Sequence, residues 1–170
     1  MGLSVDQLLA QVAEAFGEHV QDAGAHCGDA TVFIERENAL SIFQALRDRP
    51  EFAFNLLADI TAVDYLGQTP RFEIVYHLYS LPKNHRLRVK IRVPEDDPWV
   101  HSLVPLWKGA NWVEREAWDM FGVRFVGHPD LRRILLYEEF VGHPLRKDYP
   151  LNKRQPLVDE RDPIDTGWKV

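Results

Sequence analysis

Two neighbouring segments in the middle of the chain alternate between apolar and polar residues. In residues 72–78 every second residue is apolar, and residues 86–93 repeat this pattern after the turn sequence LPKNH. A period of two is typical of a strand with one buried face. The polar positions of the second segment are all basic: Arg86, Arg88, Lys90 and Arg92. The pattern predicts a β-hairpin whose solvent face carries a basic stripe about 20 Å long.

Two other segments have helical spacing. Ser4 and Gln7 form a capping box ahead of apolar residues that recur every three or four positions up to Phe16. Residues 39–47 show the same spacing, and Pro50 stops the run. We therefore predict one amphipathic helix at the N-terminus and a second over residues 39–47.

Glycines and a polar cap mark further boundaries. Breaks at Gly24 and Gly28 precede the β-branched and aromatic residues 31–34, which predicts a first strand there. Asn111 is placed as an N-cap with an acidic residue three positions later, and Gly122 lies where a helix of about ten residues would end. A third helix is therefore expected between these two residues.

Periodicity disappears near the C-terminus. From residue 142 onward many charges and four prolines interrupt the chain, namely Pro144, Pro150, Pro156 and Pro163. We predict a compact domain over residues 1–141 and an extended arm over residues 142–170, of the kind that wraps a partner. The expected fold class is α+β, a two-layer sandwich of helices on a mixed or antiparallel sheet, followed by this arm.

Length and cysteine content exclude several kinds of site. A chain of 170 residues buries about 70% of its unfolded surface, so its core needs no disulfide or metal. Cys27 is the single cysteine, which excludes an internal disulfide, a thiolate zinc site and an iron–sulfur cluster. An unpaired cysteine suits a reducing compartment. No run of apolar residues reaches the ~18 needed for a membrane span.

Charge is distributed unevenly along the chain. Residues 1–60 contain three basic and ten acidic side chains, a net charge of −7, whereas the remainder carries +1. An acidic first third argues against general nucleic-acid binding. The basic stripe is interpreted as a solvated strand face, with a docking face for an acidic partner as the alternative.

Candidate catalytic groups are few. The chain lacks the glycine-rich phosphate-binding motifs. His128 and His143 each lie in a Gly-His-Pro triplet, which favours hydrogen bonding to a loop backbone over metal ligation, since no third ligand is spaced nearby. Glu114, Glu116 and Asp119 share the predicted third helix, where capping and ion pairing are favoured over acid–base catalysis.

Four segments occur in the same order as the motifs of a known family. They are ADITAVDY, RFEIVYHLYSL, WVEREAWDMFGVRFVGHPDLRRILL and GHPLRKDYPL, within residues 58–151. This succession resembles the C subunit of the proton-pumping NADH:quinone oxidoreductase, respiratory complex I, whose mitochondrial counterpart is the iron–sulfur protein subunit 3. The signature residues carried by the match are Glu114, Arg115, Glu116, Asp119, Gly122, Gly127, His128, Pro129, Asp130, Arg132, Arg133, Gly142, Pro144, Leu145, Arg146, Lys147, Asp148, Tyr149 and Pro150.

The resemblance implies a structural role in a larger enzyme. That enzyme passes electrons from NADH through FMN and iron–sulfur clusters to quinone, coupled to proton translocation, and all of these groups belong to partner subunits. The C subunit binds no cofactor or metal, packs mainly against the D subunit, and has other neighbours in the hydrophilic arm, including the B subunit. The expected form is the unfused one, peripheral on the cytoplasmic side of the bacterial inner membrane. None of the signature residues is expected to be catalytic; they are expected to hold the fold or the interface, with Arg132 and Arg133 anchoring against the D subunit.

Two alternatives remain at the level of sequence. The chain could be the homologous subunit of a membrane-bound hydrogenase or of a plastoquinone- or F420-linked complex. It could also be a free-standing hydrolase that uses Glu116 and Asp119.

Overall fold

The centre of the protein is a mixed five-stranded β-sheet. The structure, a computed structural model, describes residues 3–155 and residue 157. Its helices are α1 (Val5–Phe16), α2 (Ala39–Asp48) and α3 (Ala110–Phe121), with a 3-10 turn at Gly17–His19. Its strands are β1 (Val20–His26), β2 (Asp29–Ile34), β3 (Leu56–Asp64), β4 (Phe72–Ser80), β5 (His85–Val93), β6 (Trp99–His101) and β7 (Arg124–Val126).

The strands of the large sheet lie in the order β1-β2-β5-β4-β3. Neighbours are antiparallel except β2 and β5, which run parallel. The predicted hairpin is β4–β5, with Leu78 opposite Leu87. Strands β6 and β7 form a separate parallel pair.

All three helices cover the same face of this sheet. The alternating apolar residues of β4 and β5 point into this layer and are buried. Phe43 of α2 packs on Tyr76 of β4 with ring centroids 4.7 Å apart, while α1 and α3 lie over opposite ends of the sheet order. Burying each large apolar side chain contributes about 1.5–3 kcal/mol. The predicted α+β class, helices on a mixed sheet, is confirmed.

One predicted boundary is wrong. Strand β1 runs through Gly24, where a break was expected, and it pairs with β2 across a turn at Cys27 and Gly28. The strand has no hydrophobic pattern because only Val20 is even partly buried. The break at Gly28 is confirmed, since its φ of 85° belongs to the left-handed region that glycine adopts without strain.

The start of α3 also differs from the prediction. Gly109 precedes the first turn, which begins at Ala110, and Asn111 already lies inside the helix. Glu114 is therefore not a cap of its own helix, and its side chain points into the core instead. The end of the helix at Gly122 is confirmed, with φ 77°.

The first part of the predicted arm lies against the domain. Residues 142–155 contain no helix or strand, yet several of their side chains and amides bond to α3 and β3. Residues 156 and 158–170 of the predicted arm lie outside the described residues. The division of the chain at residues 141 and 142 stays a prediction.

Candidate functional site

The signature residues meet at the C-terminal end of α3. There the chain from residue 127 to residue 149 passes α3 and the ends of β3 and β4, and polar contacts fix it at three points. We call these three points together the clamp: the carboxylate of Asp119, the last carbonyls of α3, and the guanidinium of Arg71.

The first point of the clamp is the buried carboxylate of Asp119. Its Oδ2 accepts hydrogen bonds from the amides of Ile134, Leu135 and Leu136 at 3.0, 2.9 and 3.0 Å. Its Oδ1 accepts from Nη1 of Arg133 at 2.6 Å. Burial opposes ionisation of Asp119, but these donors outweigh it and hold its pKa below the ordinary value. The group is a structural anion and offers no free carboxylate to a substrate.

Arg133 extends this contact towards the arm. Its Nη2 donates to the carbonyls of Phe140 and Gly142 at 2.8 and 3.1 Å. The side chain is 12% exposed, whereas that of Arg132 is 65% exposed and pairs with Asp130. The two arginines therefore differ: Arg133 anchors the chain internally, and Arg132 alone of the two is available to a partner.

The second point caps the end of α3. Nδ1 of His143 donates to the carbonyl of Asp119 at 2.9 Å. The amide of Leu145 donates to the carbonyl of Met120 at 3.1 Å, and Nε of Arg146 donates to the carbonyl of Phe121 at 2.6 Å. These carbonyls lack partners within the helix, and a cation there is favoured by the helix dipole. Burial lowers the pKa of His143, so the neutral imidazole with its proton on Nδ1 makes this bond near pH 7.

Gly122 makes this approach possible. A Cβ at this position would lie 2.6 Å from Cδ2 of His143 and 2.7 Å from Nη2 of Arg146. Residue 122 must therefore be glycine both for its positive φ and for the space that the arm occupies.

The third point is Arg71, which is almost fully buried. Its guanidinium forms a two-bond pair with Asp64, both at 2.8 Å, and bonds to Asp148 at 2.8 and 3.2 Å and to Glu95. Oδ2 of Asp64 also accepts from the amide of Lys147 at 2.8 Å. Hydrogen bonds from Arg71 hold the pKa of Asp64 and of Asp148 below the ordinary value.

Arg71, Asp64 and Glu95 are absent from the signature residues. The signal that could have found Asp64 is a charge inside an otherwise apolar run, since a buried charge is kept only when it is paired. Its partner Arg71 lies seven residues away, and Asp148 lies 77 residues from Arg71. A pair separated by 77 residues cannot be predicted from sequence pattern or local spacing.

The other signature residues of the loop hold its backbone. His128 accepts from the amide of Asp130 at 3.0 Å through Nδ1, so its Nε2 donates to the carbonyl of Asn111 at 3.1 Å. Arg115 donates to the carbonyls of Arg132 and Arg133. His128 thus bonds the backbone of its own loop at Asp130 and a carbonyl of α3, whereas His143 bonds a carbonyl of α3 and not of a loop. Among residues 3–155 and 157, no group of three His, Cys, Asp or Glu side chains could hold a metal ion.

Glu114 is a separate buried acid beneath α3. Its carboxyl accepts from Oγ of Ser102 at 2.7 Å and from the amide of Leu103 at 2.6 Å, which ties the 102–103 turn to the helix. Burial raises its pKa to about 7. Glu116 is exposed on the same helix, whereas the carboxylate of Asp119 is buried and occupied by four donors.

The chain held by the clamp, together with the residues that follow it, carries exposed apolar side chains. We call these side chains the apolar segment: Leu135, Tyr137, Val141, Leu145, Leu151 and Leu157. Leu135 and Leu145 are bonded through their amides to α3 while their side chains face solvent. These six side chains follow one another along the chain between residues 135 and 157, and a contiguous patch of exposed apolar side chains is typical of an interaction surface.

The protein is an α+β domain in which buried ion pairs hold a segment with exposed apolar side chains, and comparison with known proteins identifies its family. The model of the family described as respiratory-chain NADH dehydrogenase, 30 Kd subunit, matches residues 32–155. The chain belongs to this family, and the resemblance read from its motifs is confirmed.

Relatives and solved structures agree with this assignment. The C subunit of NADH-quinone oxidoreductase from Citrifermentans bemidjiense is 48% identical over 146 residues, covering 86% of this chain and 89% of the relative. The C 2 subunit of NADH-quinone oxidoreductase from Rhizobium etli is 49% identical over 167 residues, covering 95% and 89%. A trypsin-resistant fragment (1-134) of Nqo5 superposes with a TM-score of 0.65 at 34% identity, covering 76% of this chain and all of the fragment.

A second solved structure shares the fold alone. A chain of the membrane-bound sulfane sulfur reductase, an archaeal respiratory membrane complex, has a TM-score of 0.71 at 21% identity, covering 97% of this chain and 98% of that one. In the part of this chain that the structure describes, none of the helices has the length and hydropathy that crossing a bilayer requires.

Proposed function

We propose that this chain is a non-catalytic subunit of NADH-quinone oxidoreductase that binds the D subunit through the apolar segment. The observation that carries the proposal is the clamp, which fixes the backbone of that segment at Leu135 and Leu145 while leaving both side chains in solvent. Ordering the segment before binding lowers the entropy cost of association. The signature residues then act as supports of the interface.

The same proposal assigns the redox groups to other subunits. FMN, the iron–sulfur clusters and quinone would be held by partner subunits, and this chain would carry no cofactor. Its single cysteine is exposed at the turn between β1 and β2, and the buried histidines and carboxylates described above are engaged in bonds that hold the fold. The B subunit and other members of the hydrophilic arm are proposed as further neighbours, with this chain peripheral on the cytoplasmic side of the bacterial inner membrane as part of a membrane complex.

The test is retention of the D subunit by the affinity-tagged full chain. Leu135→Asp and Leu145→Asp each place a charge in the proposed interface, and we expect about tenfold weaker retention, or about 1.4 kcal/mol. Leu81→Asp is the matched control, because Leu81 is 62% exposed and Leu135 61%, but Leu81 lies in the β4–β5 turn outside the clamp.

Unchanged retention by both variants would remove the apolar segment from the interface. Equal losses in all three variants would attribute the effect to surface charge in general. NADH-dependent quinone reduction by the assembled complex, lost in proportion to the D subunit, supports an assembly role. Activity of the isolated chain that disappears with Glu116→Gln would contradict the non-catalytic assignment.

A further inference from the structure

The face of the large sheet opposite the helices is open, and its charges are unevenly paired. Arg88 pairs with Asp29 at 3.0 Å, and Lys90 and Arg92 both face Glu73, at 2.7 and 3.7 Å. Two carboxylates thus neutralise half of the charge of the basic stripe within the sheet. Arg86 is the exception: among residues 3–155 and 157 it has no carboxylate partner, and its guanidinium lies over the ring of Tyr79 at 5.3 Å.

A groove begins at this arginine and crosses the end of the sheet. It encloses about 320 Å³. The lining residues that matter are Leu56 and Ala58 of β3, His77 and Tyr79 of β4, and Arg86 and Arg88 of β5. The register of β3 shifts between Leu57 and Asp59, which leaves Ala58 without a partner on β4. Such a bulge bends the strand locally, and the exposed side chains of Leu56 and Ala58 form an apolar floor beside the arginine.

The groove carries one net positive charge near neutral pH. Arg88 and Asp29 form an ion pair at its side, so that among the described residues lining the groove Arg86 keeps an uncompensated charge. Burial, together with the nearby Arg88, lowers the pKa of His77, so this imidazole is neutral at pH 7. The carboxylate of Asp59, next to Ala58, is turned to the amide of Ile60. The groove therefore combines one free cation with a mainly apolar floor.

We propose that this groove binds an acidic segment of a second partner protein, placing an Asp or Glu side chain on Arg86 and a neighbouring aliphatic side chain on Leu56 and Ala58. Charge complementarity requires a carboxylate at one end, and the apolar floor requires an uncharged side chain beside it. A polyanion fits poorly because Glu73 and Asp29 lie along the same face.

The groove is separate from the clamp. Leu56 is paired with Tyr79 at one end of the β3–β4 ladder, while Asp64 is paired with Phe72 at the other. Along β4 the two ends are seven residues apart, which corresponds to roughly 23 Å. A partner in the groove can therefore bind whether or not the apolar segment binds the D subunit, and this chain would link two neighbours in the assembly.

The experiment uses the purified, assembled complex that contains the full chain. A photo-crosslinking residue, p-benzoylphenylalanine, replaces Ala58, and the cross-linked peptide is identified by mass spectrometry. We expect a peptide of another subunit that contains Asp or Glu within a few residues of Leu, Ile or Val. Cross-links only to this chain, to lipid or to a segment without an acidic residue would overturn the proposal.

Charge variants in the same cross-linking background test the role of Arg86. We expect Arg86→Glu to lower the cross-link yield about tenfold, while Arg86→Lys retains most of it. Arg92→Glu is the matched control, since Arg92 lies on the same strand and face, six residues away, and is also exposed. Equal loss with Arg92→Glu, or none with Arg86→Glu, contradicts the proposal. Retention of the D subunit is recorded in the same samples, so a failure at the apolar segment is distinguished from a failure at the groove.

Discussion

Three acidic residues on one helix have three different environments. Asp119 is buried and accepts four hydrogen bonds, Glu114 is buried with two, and Glu116 is exposed. The difference follows from their positions around the helix, because only one side of α3 faces the core and the loop. Each residue therefore allows a separate test.

Asp119→Asn is expected to destabilise the isolated chain by about 3 kcal/mol, because it leaves the Arg133 guanidinium without its buried counter-ion. The free energy of unfolding is measured in urea. Glu116→Gln, on the same helix but exposed, is the control and should change stability by less than about 0.5 kcal/mol. Similar values for the two variants would mean that the hydrogen bonds of Asp119 contribute little to the free energy of unfolding.

Glu114 should make stability fall with rising pH. Its pKa is about 7 in the folded protein and 4.5 ordinarily, so the folded state holds this proton more tightly than the unfolded chain. The stabilisation is complete below pH 4.5 and is lost as the pH rises to 7, with a total of about 3 kcal/mol.

The measurement compares the wild-type chain with Glu114→Gln. Glutamine keeps a donor for Ser102 and an acceptor for the amide of Leu103 but does not titrate. The stability of the wild type relative to this variant should decline between pH 4.5 and pH 7. A constant difference over that range would show that the pKa of Glu114 is the same in the folded and the unfolded chain.

At the scale of elements, the third helix and the arm form one unit. The arm supplies partners for three successive carbonyls of α3, which a helix cannot satisfy by itself. The close approach that this requires is set by the absence of a side chain at residue 122.

Gly122→Ala is therefore expected to destabilise the protein by about 2–4 kcal/mol, from a strained positive φ and from displacement of His143 and Arg146. The thermal midpoint of the isolated chain checks this. Gly109→Ala is the matched control at the other end of the same helix, where φ is −64° and a new Cβ would meet open space. A loss in the control as large as that of Gly122→Ala would contradict the steric argument.

Strands were predictable where one face is buried and the other is not. The alternation in β4 and β5 reflects a central position in the sheet with helices on one side only. Strand β1 is an exposed edge, so burial imposes no pattern on it. The nearly continuous apolar run from residue 52 to residue 65 contains β3, whose exposed positions Leu56 and Ala58 are also apolar, so the sequence there shows no alternation.

At the scale of the whole molecule, Arg71 connects the sheet to the arm. It holds carboxylates from three separate parts of the chain, at residues 64, 95 and 148. Without the guanidinium these carboxylates repel one another, and the segment that contains Asp148 loses its attachment.

Arg71→Met should expose the arm to protease. We expect trypsin to cleave after Arg146 or Lys147 about tenfold faster than in the wild type, corresponding to about 1.4 kcal/mol less resistance to local opening. Arg92→Met, on the open face of the sheet, serves as the control. Cleavage of Arg71→Met at the wild-type rate would show that the other two points of the clamp are sufficient to hold the arm.

The sequence by itself determined the fold class, the hairpin, the ends of two helices and the family, because burial on one face and ordered local motifs leave a regular trace in the chain. Only the tertiary structure decided what the signature residues do. It turned Arg133 inward and Arg132 outward, buried Asp119 but exposed Glu116, and brought Asp148 to Arg71. Beside a groove it left Arg86 without a carboxylate partner among the residues that the structure describes. Charge pairing and the close approach of distant segments depend on positions in space, and spacing along the chain does not encode them.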